Sequence, residues 1–369
     1  MPSKKNNSIL LYSSQWPEYL IELANALSSR AEVSLMLPIN HRFTARHREL
    51  ISDQVKFIPF HRIKHSSRIV GVKLAIRILF EVWRIRPSFF HIQASGGYPF
   101  LWVLKYLPKK TKVINTVHDP VLHLGDQASI KSYNQEVIDN AIKYTHRYIV
   151  HGETLKKQLS ENYKVSPDRI SVVPHGHFEI YKKFVSSELD EEDALSVLFF
   201  GRIWKYKGLQ YFIDAANLVL DKIPNAKFYI VGTGDDLRNY RFDEGKRDNF
   251  IIVNKRVTIE EAAHYYSKAA FVVLPYVEAT QSGIIPVAYA FGKTVIASRV
   301  GAIPEVVVDN VTGFLVEPES SELLAAKIEL LLRDNEVRKK MGGNAYAYAM
   351  DELSWDKIAR KTLDAYAKS

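Results

Sequence analysis

Four residues in one short turn carry the clearest chemistry in the sequence: Gly201, Arg202, Lys207 and Gly208, in the order G-R-x4-K-G. Arginine offers a planar fork of donors and lysine a compact charge. Together they suit a diphosphate, and the two glycines let the backbone come close to it. The turn follows the apolar run Val197–Phe200 and precedes a helical pattern that begins at Leu209. It therefore reads as the carboxyl end of a strand buried on both faces, which is where open parallel sheets bind ligands. Taken alone, the same residues also fit a solvated basic turn between a strand and a helix.

Two further places could act on the same guest. His118 stands in Thr-Val-His-Asp-Pro after the apolar run Val113–Val117, and a histidine there is either structural or a group that changes charge near neutral pH. Asp119 beside it orients the ring or caps the next segment. The second place is the run Glu278-Ala-Thr-Gln-Ser-Gly-Ile-Ile-Pro-Val. Proline is accepted in a helix only in its first turn, so Pro286 places a helix start near Ser282 to Pro286. The free N–H groups of such a start attract an anion, and Gly283 leaves them uncovered; a plain structural helix start is the alternative. Thr280, Gln281 and Ser282 add neutral hydrogen-bonding groups.

These residues need a scaffold, and 369 residues are enough for two domains. Cysteine is absent, which excludes disulfides, thiolate metal sites and a cysteine nucleophile. The apolar run Ile9–Tyr12 near the start is too brief for a secretion signal or a membrane span, so a cytoplasmic protein is expected. Residues 1–175 hold 25 Lys+Arg against 13 Asp+Glu, whereas residues 176–369 hold 25 against 28. The basic half suits nucleic acid, anionic lipid or an acidic substrate. No helix-turn-helix, zinc-finger or RNA-binding signature accompanies it, so no nucleic acid is expected. The basic stretch from Arg42 to Arg86 points to an anionic or lipid-linked acceptor at the inner face of a membrane, with an ordinary solvated helix face as the plainer reading.

Strand and helix alternate along the whole chain, which predicts an α/β protein with parallel sheets. The strands expected in the first half are Ser8 to Tyr12, Val33 to Leu37, Val55 to Pro59, Ser88 to Gln93, Val113 to Val117, Tyr148 to His151 and Ile170 to Val173. A helix at Glu18 to Leu27 and a long basic one at Ser67 to Arg86 lie between them. In the second half, helices at Leu209 to Leu220 and Ile259 to Lys268 alternate with strands at Lys227 to Val231, Ile251 to Val253, Phe271 to Leu274, Val295 to Ala297 and Gly313 to Val316. The expected domains are residues 1–175 and 195–352, joined by an exposed acidic connection at 176–194. A terminal helix lies within 353–369.

Several of these stretches together resemble the nucleotide-sugar glycosyltransferases of family 4. They are G-R-x4-K-G, the turn IVGTGDDL, the run GKTVIASRVGAIPEVVVDNVTGFLVEP and the pairs VHD and VPHG. The resemblance implies the GT-B fold: two facing Rossmann-like domains with a cleft between them, and a C-terminal helix crossing back to the first domain. It implies a retaining glycosyltransferase that moves a sugar from a nucleotide diphosphate sugar to a hydroxyl of a glycan or lipid-linked acceptor, as in cell-surface polysaccharide synthesis. A non-catalytic subunit that binds a nucleotide sugar or supports an active partner is the alternative.

By the same resemblance, Arg202 and Lys207 grip the donor diphosphate and stabilise its leaving charge, and no metal or further cofactor is needed. His118 corresponds to the family's histidine that reaches across the cleft to the transferred sugar. Gly201, Gly232 and Gly234 line the donor, and Arg256 with Val257 sit where relatives meet the base. Glu278, Thr280, Gln281, Ser282, Gly283 and Ile284 complete the donor contacts. The family's two glutamates, eight positions apart, fall here on Ala279 and Val287. The "ATQSG" form looks like a branch of the family, and it leaves ribose recognition without its usual carboxylate. Where relatives carry a glycine pair after the first strand, this chain has Ser13, Ser14, Gln15 and Trp16.

Overall fold

The computed structural model describes residues 8–40, 43–61, 68–94, 103–120, 141–185 and 188–369, with the side chains of 68–70 and 94 excepted. Arg42 and Ser67 lie outside the described residues. The chain divides into two compact units. One holds the described residues up to Pro174 together with Trp355–Ser369, and the other holds His175–Ser354.

The first unit is built on a seven-stranded sheet: β1 (Ser8–Ser13), β2 (Glu32–Ile39), β3 (Val55–His61), β4 (Phe89–Ala94), β5 (Lys112–Thr116), β6 (Arg147–Val150) and β7 (Ile170–Val172). Their order is β3-β2-β1-β4-β5-β6-β7, and every pair is parallel. Ile9, Leu10, Leu11 and Tyr12 of the central β1 are fully buried, as a strand covered on both faces requires. The helix Pro17–Ser28 opens on a proline and buries Leu20, Leu23, Ala24 and Leu27, which recur at helical spacing on one face.

The last helix, Trp355–Ala367, packs on this same unit. Trp355 meets Tyr19 edge to face at 5.0 Å, Tyr366 stacks on Phe89, and Asp356 pairs with Arg30. The Tyr366 hydroxyl lies 2.7 Å from Nδ1 of the buried His91, whose Nε2 meets the Thr116 hydroxyl. Burial lowers the His91 pKa to about 3, with His151 adding to the effect, so this ring is a neutral structural group. The return of the terminal helix to the first domain is as the resemblance implied.

The second unit has six parallel strands: β8 (Ser196–Ile203), β9 (Lys227–Gly234), β10 (Phe250–Asn254), β11 (Phe271–Leu274), β12 (Val295–Ser298) and β13 (Gly313–Val316). Their order is β10-β9-β8-β11-β12-β13. The chain builds outward from β8 to β10, then returns to the other side of β8 with β11. The carboxyl ends of β8 and β11 therefore flank a topological switch point, the natural crevice of such a sheet.

The stretch expected as an exposed acidic connection is folded onto this second unit. Phe178 and Ile180 are buried. Glu192 pairs with the buried Lys293 at 2.6 Å and Arg338 at 3.3 Å, Asp190 holds His264 and Ser267, and Asp193 holds Lys227. Acidic residues without apolar periodicity read as solvated because their basic partners lie far along the chain; here they offset buried cations that would otherwise be costly.

Candidate functional site

Glycine is required at three places in the second unit because two backbones meet there. β8 and β9 pair Gly201 with Gly232 and Ile203 with Gly234. A Cβ on Gly232 would lie 1.6 Å from the Gly201 carbonyl oxygen, and one on Gly234 would lie 2.1 Å from that of Ile203. Gly208, with φ +69°, is pressed against the Pro275 carbonyl, where a Cβ would sit at 1.8 Å. The Val277 N–H donates to the Tyr206 carbonyl at 2.9 Å. The loop after β8 is thus joined through its main chain to the loop after β11, at the switch point.

Both expected diphosphate ligands rest on aromatic rings. The exposed Arg202 guanidinium lies 4.6 Å from the Trp204 ring centroid, and among the described residues no carboxylate comes within ion-pair distance of it. The Lys207 ammonium lies 3.6 Å from the centroid of Tyr276 and 4.9 Å from that of Tyr206. A π face holds a cation without neutralising it. Burial pushes the Tyr276 phenol well above its ordinary pKa, with the Ser282 hydroxyl opposing, so Tyr276 keeps its proton beside the lysine. Its hydroxyl lies 3.1 Å from Ser282 Oγ, which accepts the Ile284 N–H at 3.3 Å. Lys207 is in this way linked to the start of the helix Ile284–Ala290.

Gly201 belongs to the same cluster, since a Cβ there would lie 3.7 Å from Ile284 Cδ1. Thr280 is buried, and its carbonyl accepts the Ala302 N–H at 2.9 Å. Beside it Gly301, φ +54°, approaches the Ala279 carbonyl so closely that a Cβ would lie 1.9 Å away. Glu278 and Gln281 are half-buried, and the space around Gly283 is open to 4 Å. Arg256 and Val257 stand apart. They follow β10, two strands from β8, where Thr258 and Glu261 cap the next helix reciprocally. The Asn254 amide bonds the Asp235 carbonyl at 3.3 Å, tying the ends of β9 and β10 together. The sequence reading missed Trp204, Tyr206 and Tyr276, although for the first two the aromatics interleaved with the cations of WKYKG were a visible sign.

In the first unit His118 follows β5 and is half-buried. Its Nε2 lies 2.9 Å from the Gln93 side-chain oxygen, its Nδ1 lies 3.0 Å from His151 Nε2, and the Trp16 indole stands edge-on at 4.6 Å. Trp16 holds the left-handed conformation, φ 51°, just before the helix Pro17–Ser28, a strained geometry for a bulky residue.

Two family patterns match successive parts of the chain: "Glycosyltransferase Family 4" over residues 18–177 and "Glycosyl transferases group 1" over residues 194–334. The chain belongs to glycosyltransferase family 4. This family 4 chain is 27% identical over 250 residues to a D-inositol 3-phosphate glycosyltransferase of Paenarthrobacter aurescens, covering 64% of the chain and 59% of that protein. The match spans about three fifths of the first curated relatives, 62% and 59% of their lengths. Among solved structures, sucrose-phosphate synthase from Thermosynechococcus elongatus superimposes with a TM-score of 0.69 at 18% identity, covering 99% of each chain. Anabaena HepE in complex with UDP gives 0.67 at 15% identity, covering 98% of this chain and 100% of that one. The fold is GT-B. Against the family's two glutamates, Ala279 and Val287 are buried apolar residues here, so neither offers a carboxylate to a ribose.

Proposed function

We propose that this protein transfers a sugar from a nucleotide diphosphate sugar to an acceptor hydroxyl with retention at the anomeric carbon. The observation that carries the reading is the pair of aromatic-supported cations, Arg202 and Lys207, beside the open space at Gly283 in the switch-point crevice. The bond from the anomeric carbon to the diphosphate breaks, the acceptor oxygen bonds the same face of that carbon, and the acceptor proton passes to the departing diphosphate. Arg202 and Lys207 stabilise the charge on that leaving group. His118 serves the transferred sugar, and Gly201, Gly232, Gly234, Thr280, Gln281, Ser282 and Ile284 shape the donor's bed, with Glu278, Arg256 and Val257 at its margins. UDP, the nucleotide bound by the Anabaena relative, is the first candidate.

A nucleoside diphosphate that binds only the folded protein must raise its melting temperature. UDP, GDP, ADP and TDP, compared in one thermal-shift series at equal concentration, are expected to give one clear winner. The matching sugar nucleotides, offered with candidate acceptors, should then be turned over. No shift with any of the four would overturn the reading. A shift without transfer or donor hydrolysis, with activity appearing on addition of a partner, would favour the donor-binding subunit, a reading motivated by Ala279 and Val287.

The acceptor is proposed to be anionic and carried in a membrane surface. No helix among the described residues is long and apolar enough to cross a bilayer. However, Val72, Ile76, Phe80 and Trp83 form one stripe on the helix Arg68–Ile85, each 51–61% exposed. Lys73, Arg77 and Arg84 run beside the stripe, and the opposite face buries Ala75, Ile78 and Val82. The Trp83 indole N–H donates to the Tyr106 carbonyl, bringing a second exposed aromatic ring alongside. An apolar stripe edged by cations suits an anionic bilayer surface. The protein is expected to float with phosphatidylglycerol vesicles at low salt and to lose most of that binding in the double variant Ile76→Asp, Phe80→Asp. Absence of wild-type flotation would remove the membrane from the proposal.

A further inference from the structure

His118 is held by a chain of hydrogen bonds whose direction can be worked out from one end. The Val173 carbonyl can only accept, and it lies 2.9 Å from His151 Nδ1, so that nitrogen carries a proton. His151 is buried, and burial lowers its pKa although the carbonyl opposes the shift. The ring is therefore neutral near pH 7, and its Nε2 bears a lone pair. His118 Nδ1 lies 3.0 Å from that lone pair. Two lone pairs cannot share such a contact, so His118 Nδ1 is the donor.

We propose that His151 is a positioning residue that fixes His118 in its Nδ1–H form, leaving Nε2 as the nitrogen that gains and loses a proton. Nε2 lies 2.9 Å from the Gln93 side-chain oxygen, a contact that suits the protonated ring; when the ring is neutral its Nε2 lone pair requires the Gln93 N–H instead. An amide offers oxygen at one end and N–H at the other, so Gln93 can serve either protonation state by turning over. Gln93 also bonds the buried Tyr19 hydroxyl. With Trp16 against the ring, rotation of His118 is blocked on a third side. A neutral histidine in water favours the opposite tautomer, with the proton on Nε2, so the protein imposes the form seen here. The functional part of the proposal rests on His118 serving the transferred sugar. A locked ring then presents one defined nitrogen without an orientational cost during the reaction.

The test reads the tautomer directly, by long-range 1H–15N NMR of protein labelled in histidine, at a pH where His118 is neutral. The His118 signal is assigned by its loss in His118→Ala. The wild type is expected to show the proton on Nδ1. In His151→Phe, which keeps a ring but removes the acceptor, the proton is expected on Nε2, with kcat lowered about tenfold or more while donor KM stays nearly constant. His151→Gln, whose amide can donate to Val173 and accept from His118, is expected to restore both. A wild-type proton on Nε2, or an unchanged tautomer in His151→Phe, overturns the proposal. The wild-type spectrum needs no variant to fold. An Nδ1–H wild type in a protein without transferase activity would sink the proposed function while leaving the tautomer lock standing.

Discussion

Arg202→Ala and Lys207→Ala are each expected to lower kcat/KM by about 10²- to 10³-fold, the usual cost of removing one preorganised group from a developing negative charge. The effect should fall mainly on kcat, since charge builds on the diphosphate as the sugar departs. Arg202 is not spoken for by any carboxylate among the described residues, and its guanidinium lies over the Trp204 ring. Lys207 lies over the ring of Tyr276, whose buried phenol stays protonated and so places no anion beside the ammonium. Because both side chains would grip one group, the double variant should lose less than the product of the two single losses. Steady-state kinetics on the donor identified by thermal shift would check this. Near-normal kcat/KM in both single variants would refute the assignment.

The largest effect on stability is expected from Gly232→Ala. The new methyl would have to occupy a point 1.6 Å from the Gly201 carbonyl oxygen, so β8 and β9 must separate towards the carboxyl end of their ladder. Overpacking of this kind costs about 3 kcal/mol, which in a unit of this size lowers the melting temperature by about 6–12 °C. Gly283→Ala provides the contrast, since an added methyl there meets nothing within 4 Å. Its melting temperature should stay near wild type. Calorimetry of the two proteins side by side would decide, and equal stability would show that the close strand approach is not as tight as described.

Most of the scaffold could be read from local patterns. Continuous apolar runs such as Ile9–Tyr12 and Phe271–Leu274 gave away buried strands, and the helix Leu209–Leu220 was legible to the residue. The helix start near Pro286 follows from the chemistry of proline alone, and the structure begins it at Ile284. Interactions between distant segments were not legible. The stretch around Glu192 read as solvent-facing because Lys293 and Arg338 lie more than a hundred residues further on. Tyr276 gave no local sign that it supports Lys207, and His151 read as the end of a strand because its neighbour His118 is 33 positions away.

The glycines show the same division. Gly201, Gly208, Gly232 and Gly234 were expected near a ligand. Gly208, Gly232 and Gly234 are in fact demanded by backbone meeting backbone, so their presence speaks first for the shape of the crevice. Gly283, by contrast, has open space around it.

The first unit does not close with its own contiguous stretch of chain. His91 finds its tyrosine 275 residues later, and Arg147 donates to the Lys368 carbonyl 221 residues later. Among the described residues the second unit is one continuous span, His175–Ser354, whereas the first is closed only by the helix that follows that span. The half made first is therefore the half finished last, and a chain interrupted after Ser354 would leave it open along the flank where Tyr19 and Phe89 await their partners.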